Sequence, residues 1–252
     1  MHNKLVDYPA ATLIMTFHRE GVYAHKSLLG FQRIREFSQA EGIEVNLICT
    51  LDCADEFTSQ IVNRFLQQYG QPKDRVLNIS VGSSAASRNI GLDHVQTEYL
   101  GFLDGDDFCS ENWILAALKL QMSAQKPTLT IPGNVISFGL KNGRMRSQSS
   151  DRIPLEQMMN VHHWTACSFG PKELYKNNPY NETVGKLSRF AFEDWDFNLR
   201  NVADGVSILP VENTYLFYRR RENSTLSEHM GYRSFVPPSK FFDQFLTYKT
   251  KS

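Results

Sequence analysis

Two hydrophobic periods alternate along the first hundred residues. Ala11 to Phe17 (ATLIMTF) is a continuous apolar run with the length of a buried strand. Leu28, Phe31, Ile34 and Phe37 then recur every three residues, which gives a helix one apolar face. Ile43 to Thr50 reads as the second strand, and Phe57, Ile61, Phe65 and Tyr69, with Val62 and Leu66, as the second helix. Arg75 to Val81 follows as a third strand, Ser83 or Ser84 can cap a helix running through Ile90 to Val95, and Glu98 to Leu103 is a fourth strand. Strand and helix alternating at this pace predict parallel strands joined by right-handed crossovers, a doubly wound α/β sheet.

Beyond a helix expected from Ser110 to about Gln125 the pattern loosens. Thr128 to Phe138 reads as a strand, Lys141 to Arg152 as a polar, turn-rich loop, and His162 to Gly170 as a strand-like stretch. Phe192 to Gly205 is helical with a glycine stop, and Asn213 to Arg221 is a last strand that ends in three cations. In the tail, Pro237 and Pro238 break the chain and Ser239 can cap a helix that puts Phe241, Phe242, Phe245, Leu246 and Tyr248 on one face, flanked by Lys240, Lys249 and Lys251. That stripe is expected to dock on protein; a peripheral membrane contact is the alternative. There is no internal repeat and no linker.

Composition narrows the partners. The chain has 252 residues, 27 Lys plus Arg against 27 Asp plus Glu, so it lacks the basic excess of a general nucleic-acid binder. An anionic ligand must therefore be met by a local pocket. No apolar run reaches the ~18–20 residues of a membrane helix. Residues 1–10 lack the basic and apolar regions of a signal peptide, so the expected compartment is the cytoplasm. Cys49, Cys53, Cys109 and Cys167 show no metal-binding spacing and are expected as reduced, structural thiols.

The chemistry concentrates where the fourth strand ends. Asp104, Asp106 and Asp107 follow an apolar run directly, and carboxylates a few ångströms apart raise one another's pKa unless a cation sits between them. The cluster is either a metal seat or a solvated turn. In doubly wound sheets ligands bind beyond the carboxyl ends of the strands. Thr16 and Asp52 lie at the ends of the first and second strands, so three strand ends converge.

The order of motifs resembles the GT-A fold glycosyltransferases, in particular the inverting group called family 2, over roughly residues 11–227. The part that carries it is SSAASRNIGLDHVQTEYLGFLDGDDF, similar to the family's Ser-Ala-x-x-Arg-Asn-x-Gly helix start followed by a strand ending in Asp-x-Asp-Asp. FEDWDFNLR matches the family's Glu-Asp pair, and FYRRRENSTLS its late Tyr-Arg stretch. The resemblance implies one GT-A domain over residues 1–252: a nucleotide-sugar-binding half at about 11–125, an acceptor-side half at about 126–227 and a tail at 228–252. It implies transfer of a sugar, with inversion, from a nucleotide-diphosphate donor, most frequently a UDP-sugar, to a saccharide, lipid-linked or protein acceptor, as in polysaccharide or glycoconjugate biosynthesis. Thr16, Asp52 and Arg88 would face the nucleotide, Asp104 the ribose side, Asp106 the divalent metal (Mn²⁺ or Mg²⁺) with Asp107 in support, and Asp194 would be the base. Two departures stand out. Arg219, Arg220 and Arg221 follow Tyr218 where relatives often carry a metal-binding His, the next His being His229, so either the metal has fewer protein ligands or an arginine, Arg219, binds the diphosphate directly; TFHRE lacks the Pro and Asn often found after the first strand.

The implied chemistry suits the residues. A hard cation on a diphosphate acts as a Lewis acid for its departure, and Mg²⁺ typically takes only one or two protein carboxylates, the number Asp-x-Asp supplies. Direct inversion needs a base for the acceptor hydroxyl; Asp194 matches the motif, with Glu193 and Asp196 as fallbacks. Trp164 and Trp195 could stack on a sugar or belong to the core, and His162 and His163 could be loop residues or acceptor contacts. FLDGDDF also permits a haloacid-dehalogenase-like phosphatase with Asp104 as nucleophile and Asp106 as acid, although that motif normally opens a domain. A non-catalytic nucleotide- or partner-binding domain is the other alternative; retention of both DGDD and FEDWD argues against it.

Overall fold

The computed structural model describes residues 7–182, 190–222 and 235–249. The chain opens with β1 (Ala11–Phe17), α1 (Val22–Ala40), β2 (Val45–Asp52), α2 (Glu56–Tyr69), β3 (Arg75–Ile79), α3 (Ser84–Asp93) and β4 (Tyr99–Asp104). Strands β1, β2, β3 and β4 pair in parallel, with Thr16 beside both Thr50 and Asp104. This is the predicted alternation, and α1 extends beyond its periodic stretch at both ends. Successive residues of β1 feed opposite faces. Leu13, Met15 and Phe17 join Leu47, Phe31, Phe65 and Trp113 in one core, while Ile14 joins Ile48, Leu100, Phe102 and Phe197 in the other. Covered on both faces, β1, β2 and β4 read as largely apolar runs, while the edge strand β3 keeps two exposed positions.

After β4 come β5 (Phe108–Cys109), α4 (Trp113–Ser123), β6 (Thr128–Gly139), β7 (Gly143–Arg146), a 3₁₀ turn (Ser150–Arg152), α5 (Leu155–Asn160), β8 (Phe169–Pro171), α6 (Lys172–Asn177), α7 (Glu193–Ala203), β9 (Ser207–Arg220) and α8 (Lys240–Lys249). The sheet runs β3-β2-β1-β4-β8-β6-β9-β5, with β7 paired to β6. The result is a mixed, mostly parallel sheet flanked by helices, the architecture the resemblance implies.

Four expectations need correction. The polar stretch 141–152 is not a plain loop: Gly143–Arg146 pairs antiparallel with β6 as a hairpin. All four residues of β7 are exposed, so no hydrophobic alternation marks it. The stretch 162–170 is strand only from Phe169, because the segment before it turns into the cavity described below, with Trp164 Nε1 donating to Gln148 O at 2.8 Å. The helix expected from Ser110 starts at Trp113, since Ser110 N donates to Tyr215 O and Ser110 Oγ accepts from Tyr215 N, extending the short ladder of β5 onto β9. The last strand begins at Ser207, six residues early, and bends at a bulge opposite Pro132–Asn134 where Asn213 takes a φ of 56°. Of the two candidate caps for α3, Ser83 serves, its Oγ accepting from Ala86 N. All four cysteines are free, and three are buried.

The tail helix docks on protein. Phe241 and Phe245 are 2% and 8% exposed, and Phe241 packs in the core that contains Phe197 of α7. Gln244 donates to Ala203 O, and Lys240 pairs with Asp204 just past α7. Leu246 is exposed; the side chains of Tyr248, Lys249 and Lys251, like the stretch Asn223–Ser227 and His229, lie outside the described residues. Because α7 carries the Glu-Asp pair, α8 buttresses the helix that presents those carboxylates. Deleting residues 239–252 is expected to lower the melting temperature and leave co-sedimentation with anionic vesicles unchanged; an unaltered melt with lost co-sedimentation would contradict the docking.

Candidate active site

Gly105 lets the acidic turn fold tightly against the end of β1. A Cβ there would sit 2.4 Å from Phe17 Cδ1 and 2.6 Å from Thr16 O, while Gly105 N donates to Thr16 O at 2.9 Å. The turn lies at one edge of a cavity of about 520 Å³ above the strand ends. Thr16, Asp52, Arg88, Asp104, Asp106, Asp194 and Arg219, all anticipated from the sequence, line it. Asp107 does not. It is 3% exposed and its Oδ1 accepts from Arg219 N at 2.7 Å, so it fastens the end of β9 to the acidic turn.

Asp52 also works on the backbone. Its Oδ1 accepts from Val81 N and Gly82 N, and its Oδ2 from Ser83 N at 3.0 Å, so one carboxylate shapes the turn leading into α3. The helix after β2 is capped instead by Asp55. Gly82 takes a φ of 62° in that turn. The backbone around Asp52 and Thr16 is thus fixed before any ligand arrives.

Arg88 ties the two halves of the site together. Its guanidinium gives Nη2 to Asp104 Oδ1 at 2.8 Å and Nη1 to Glu193 Oε1 at 2.7 Å, and its ring neighbour is Tyr180, 5.2 Å away. Ser84 Oγ donates to the same Glu193 oxygen at 2.6 Å, and Thr16 Oγ1 to the same Asp104 oxygen. Burial works against the charge on Arg88, but Asp104 and Glu193 more than offset it and hold the guanidinium firmly protonated. Burial also pushes the Glu193 carboxyl up; Arg88 and Ser84 outweigh it, and the net position is below the ordinary glutamate range.

Asp194, the next residue, goes the other way. Burial raises its carboxyl, with His162 pulling down and Glu193 pushing up. Its Oδ1 accepts from its neighbour's amide, Trp195 N, at 2.9 Å, and its Oδ2 faces His162 Nε2 at 3.5 Å. Phe192, just before, adopts a left-handed φ of 65°, which turns the chain so that α7 points its first residues at the cavity. Asp196, by contrast, is fully buried and ion-paired to Arg200.

The acidic turn is crowded as expected. Burial raises the Asp106 carboxyl, Arg221 lowers it and Asp104 raises it again; Asp107 is raised by burial and by both neighbours. Arg221 Nε lies 2.8 Å from Asp106 Oδ2. Glu20, also raised by burial and by Asp106, lies near Arg221 and accepts from His18 N. Arg219 lays its guanidinium over Tyr23 and Phe138, at 4.2 and 4.5 Å, and its Nε donates to Asp106 O. Among the described residues no three His, Cys, Asp or Glu side chains form a preformed metal cage. A cation here would rest on one or two carboxylates and ligand oxygens, as Mg²⁺ commonly does, and the raised carboxyl of Asp106 is a donor that such an ion would relieve.

Sequence reasoning missed Glu20, Ser84 and Ser87, which also line the cavity, and left His162 and His163 undecided; both line it as well. Ser84 carried a signal, since it sits one helical turn before Arg88. Trp164 is 3% exposed and belongs to the core, while Trp195 is half-buried and stacks on His162.

Removing Arg88 should be severe. Arg88→Ala leaves Glu193 buried beside Ser84 without a cation, and breaking a buried ion pair this way typically costs about 3–5 kcal/mol. Equilibrium urea unfolding is expected to show that loss for Arg88→Ala and a smaller one for Arg88→Lys; a change under about 1 kcal/mol for Arg88→Ala would contradict the bridge.

No curated protein matches the chain. Three solved structures of S. aureus TarS residues 1–349 superpose well: one at a TM-score of 0.62 with 16% identity over 83% of this chain and 60% of that one, the complex with UDP-GlcNAc at 0.65 with 16% identity over 93% and 64%, and the complex with UDP at 0.63 with 15% identity over 88% and 64%. The chain therefore spans less than two thirds of those structures, and at this identity the likeness speaks for the fold. The sequence itself matches Glycosyl transferase family 2 across residues 12–192, which removes the phosphatase reading of FLDGDDF: the chain belongs to glycosyl transferase family 2.

Proposed function

We propose that the chain is a glycosyltransferase that moves a sugar from a nucleotide-diphosphate donor, a UDP-sugar, to an acceptor hydroxyl with inversion, in the assembly of a polysaccharide or glycoconjugate. The observation that carries the reading is one cavity walled both by the strand-end pair Asp104 and Asp106 and by the helix-start carboxylate Asp194. TarS, which shares the fold, has been crystallised with UDP-GlcNAc and with UDP.

On this reading the nucleotide lies over Thr16 and the turn that Asp52 braces, beside Arg88 and Asp104. Asp106 faces the diphosphate with Arg219 and its two neighbours. The cavity is lined by six carboxylates and five arginines. Adding a diphosphate to that balance calls for a further cation, and Mn²⁺ or Mg²⁺ held by Asp106, with Asp107 behind it, would supply Lewis-acid stabilisation of the leaving group. The arginines share that load: Arg219 is oriented by two aromatic rings and keeps a buried Nη2 without a hydrogen-bond partner among the described residues.

Asp194 accepts the proton of the attacking hydroxyl. Burial raises its carboxyl towards the working range, which makes it a better base once ionised. Glu193 is unsuited because Arg88 holds its charge in place, and Asp196 because it is fully buried against Arg200. The acceptor is a saccharide, a lipid-linked sugar or a protein, brought in past His162–Ala166 and the β6–β7 hairpin. The described residues contain no helix long and apolar enough to cross a membrane.

Two variants separate donor binding from chemistry. Asp106→Asn is expected to keep the fold and lose the Mn²⁺-dependent part of UDP affinity in calorimetry; undiminished affinity would count against the cation seat. Asp194→Asn is expected to bind UDP-GlcNAc as the wild type does, while turnover falls by ~10²–10⁴-fold. Wild-type turnover in that variant would move the base elsewhere.

A further inference from the structure

His162 is held beside Asp194 in an unusual way. Its ring lies flat against the indole of Trp195, with centroids 5.4 Å apart and planes 7° from parallel. That indole is tethered in turn, Nε1 donating to Met158 O at 2.8 Å. His162 Nε2 is shut off from solvent and has no hydrogen-bond partner among the described residues. The acidic atom it faces is Asp194 Oδ2, at 3.5 Å. The other oxygen of that carboxylate is taken by Trp195 N. One residue, Trp195, therefore fixes both partners: its amide sets the carboxylate and its ring sets the imidazole. A buried nitrogen left unsatisfied costs free energy, and here it is spent on a distance just longer than a hydrogen bond, which a small carboxylate rotation would close.

We infer that His162 is the positioning partner of Asp194 and takes over the proton that Asp194 removes from the acceptor. The inference rests on Asp194 being the base. The acceptor O–H bond breaks and its proton goes to Asp194 Oδ2, while the oxygen's electron pair forms the new bond to the anomeric carbon and the diphosphate leaves with the electrons of the broken glycosidic bond. The proton then passes from Oδ2 to the lone pair of His162 Nε2, which requires the tautomer with its hydrogen on Nδ1. What remains is a carboxylate facing an imidazolium, a pair stabilised in a poorly solvated pocket. Asp194 is ready for another proton without waiting for water, and the imidazolium discharges later.

The charges around this pair come from several elements. Glu193 and Asp194 lie on α7, Arg88 on α3, Asp104 at the end of β4, Tyr180 after α6 and His163 beside His162. Arg88 is shared by Asp104 and Glu193, which leaves that trio with one net negative charge, and Asp194 is the acid that lies against His162.

His162→Phe keeps a flat ring for Trp195 and removes both nitrogens. Two readouts should move in opposite directions. The Asp194 carboxyl, followed by carbon NMR, should take up its proton at a higher pH than in the wild type, because the imidazole that lowers it is gone. The acid limb of UDP-GlcNAc hydrolysis should move to lower pH, because the proton that stops the wild-type enzyme sits on the imidazole, and kcat should drop by less than the ~10²–10⁴-fold expected for loss of the base, with KM for UDP-GlcNAc unchanged. A purely electrostatic histidine would shift both readouts upward, and a packing histidine would shift neither; either result overturns the inference. So does an unchanged carboxyl titration, whatever the rate. His162→Gln, which needs no ring in the stack, is the second variant if His162→Phe does not fold. Asp194→Asn run alongside separates the cases: if it turns over normally the base assignment itself fails, whereas an inactive Asp194→Asn with an unshifted His162→Phe profile removes only the relay.

Discussion

The bridge from Asp104 through Arg88 to Glu193 is the constraint on which the site depends. Asp104 closes a strand of the first half, Glu193 opens a helix of the second, and 89 residues of chain separate them. A fully buried guanidinium between two carboxylates permits little adjustment, because any displacement leaves a charge unpaired in a poorly solvated place. Arg fits this task better than Lys because its planar fork addresses two partners at once. The bridge consequently fixes where Asp194 sits relative to the acidic turn. A similar device operates away from the cavity, where buried Arg35 of α1 joins Asp74 and Val45 O, and Asp74 in turn accepts from Leu47 N. In both places one buried arginine converts adjacency in the fold into fixed geometry.

The first half of the fold was legible because β1, β2 and β4 are covered on both faces and its helices are buried on one. Ala11–Phe17 and Val45–Asp52 contain no exposed position, and the apolar run coincides with the strand. The second half was harder to read. Strand β7 is exposed throughout, so no buried apolar position in Gly-Arg-Met-Arg betrays it. Residues 162–168 look like a strand because Trp164 and Cys167 are buried, yet their backbone follows the wall of the cavity, where packing and not sheet pairing decides the conformation.

The site was legible to the extent that its chemistry is local. Asp104, Asp106 and Arg88 are marked by spacing along one strand-turn or one helix start. Glu20, Ser84 and His162 enter through contacts across 201, 109 and 32 residues of chain respectively, from Glu20 to Arg221, Ser84 to Glu193 and His162 to Asp194. No periodicity reports such contacts. Asp107 shows the converse: its place in the motif suggests a ligand, but its carboxylate is committed to the amide of Arg219, which holds the arginine-bearing end of β9 beside the turn. It acts at the acidic-turn edge of the cavity by positioning those arginines.

Glu193 and Asp194 then show how two neighbouring carboxylates acquire different tasks. Glu193 is buried and Asp194 half-buried at the start of α7, where the helix dipole favours negative charge on each. Glu193 meets a guanidinium and a hydroxyl, so its charge is permanent and its proton affinity low. Asp194 meets one amide and an imidazole at a longer distance, so its charge is poorly compensated and its proton affinity high. Environments that drive adjacent acids apart in this way assign acid–base roles. The permanent charge of Glu193 contributes to that separation, since it raises Asp194 while keeping Arg88 from neutralising it. A carboxyl's proton affinity can thus be tuned by a neighbour that takes no proton: the first residue of the pair anchors the helix to Arg88, and the second is left facing the cavity with His162.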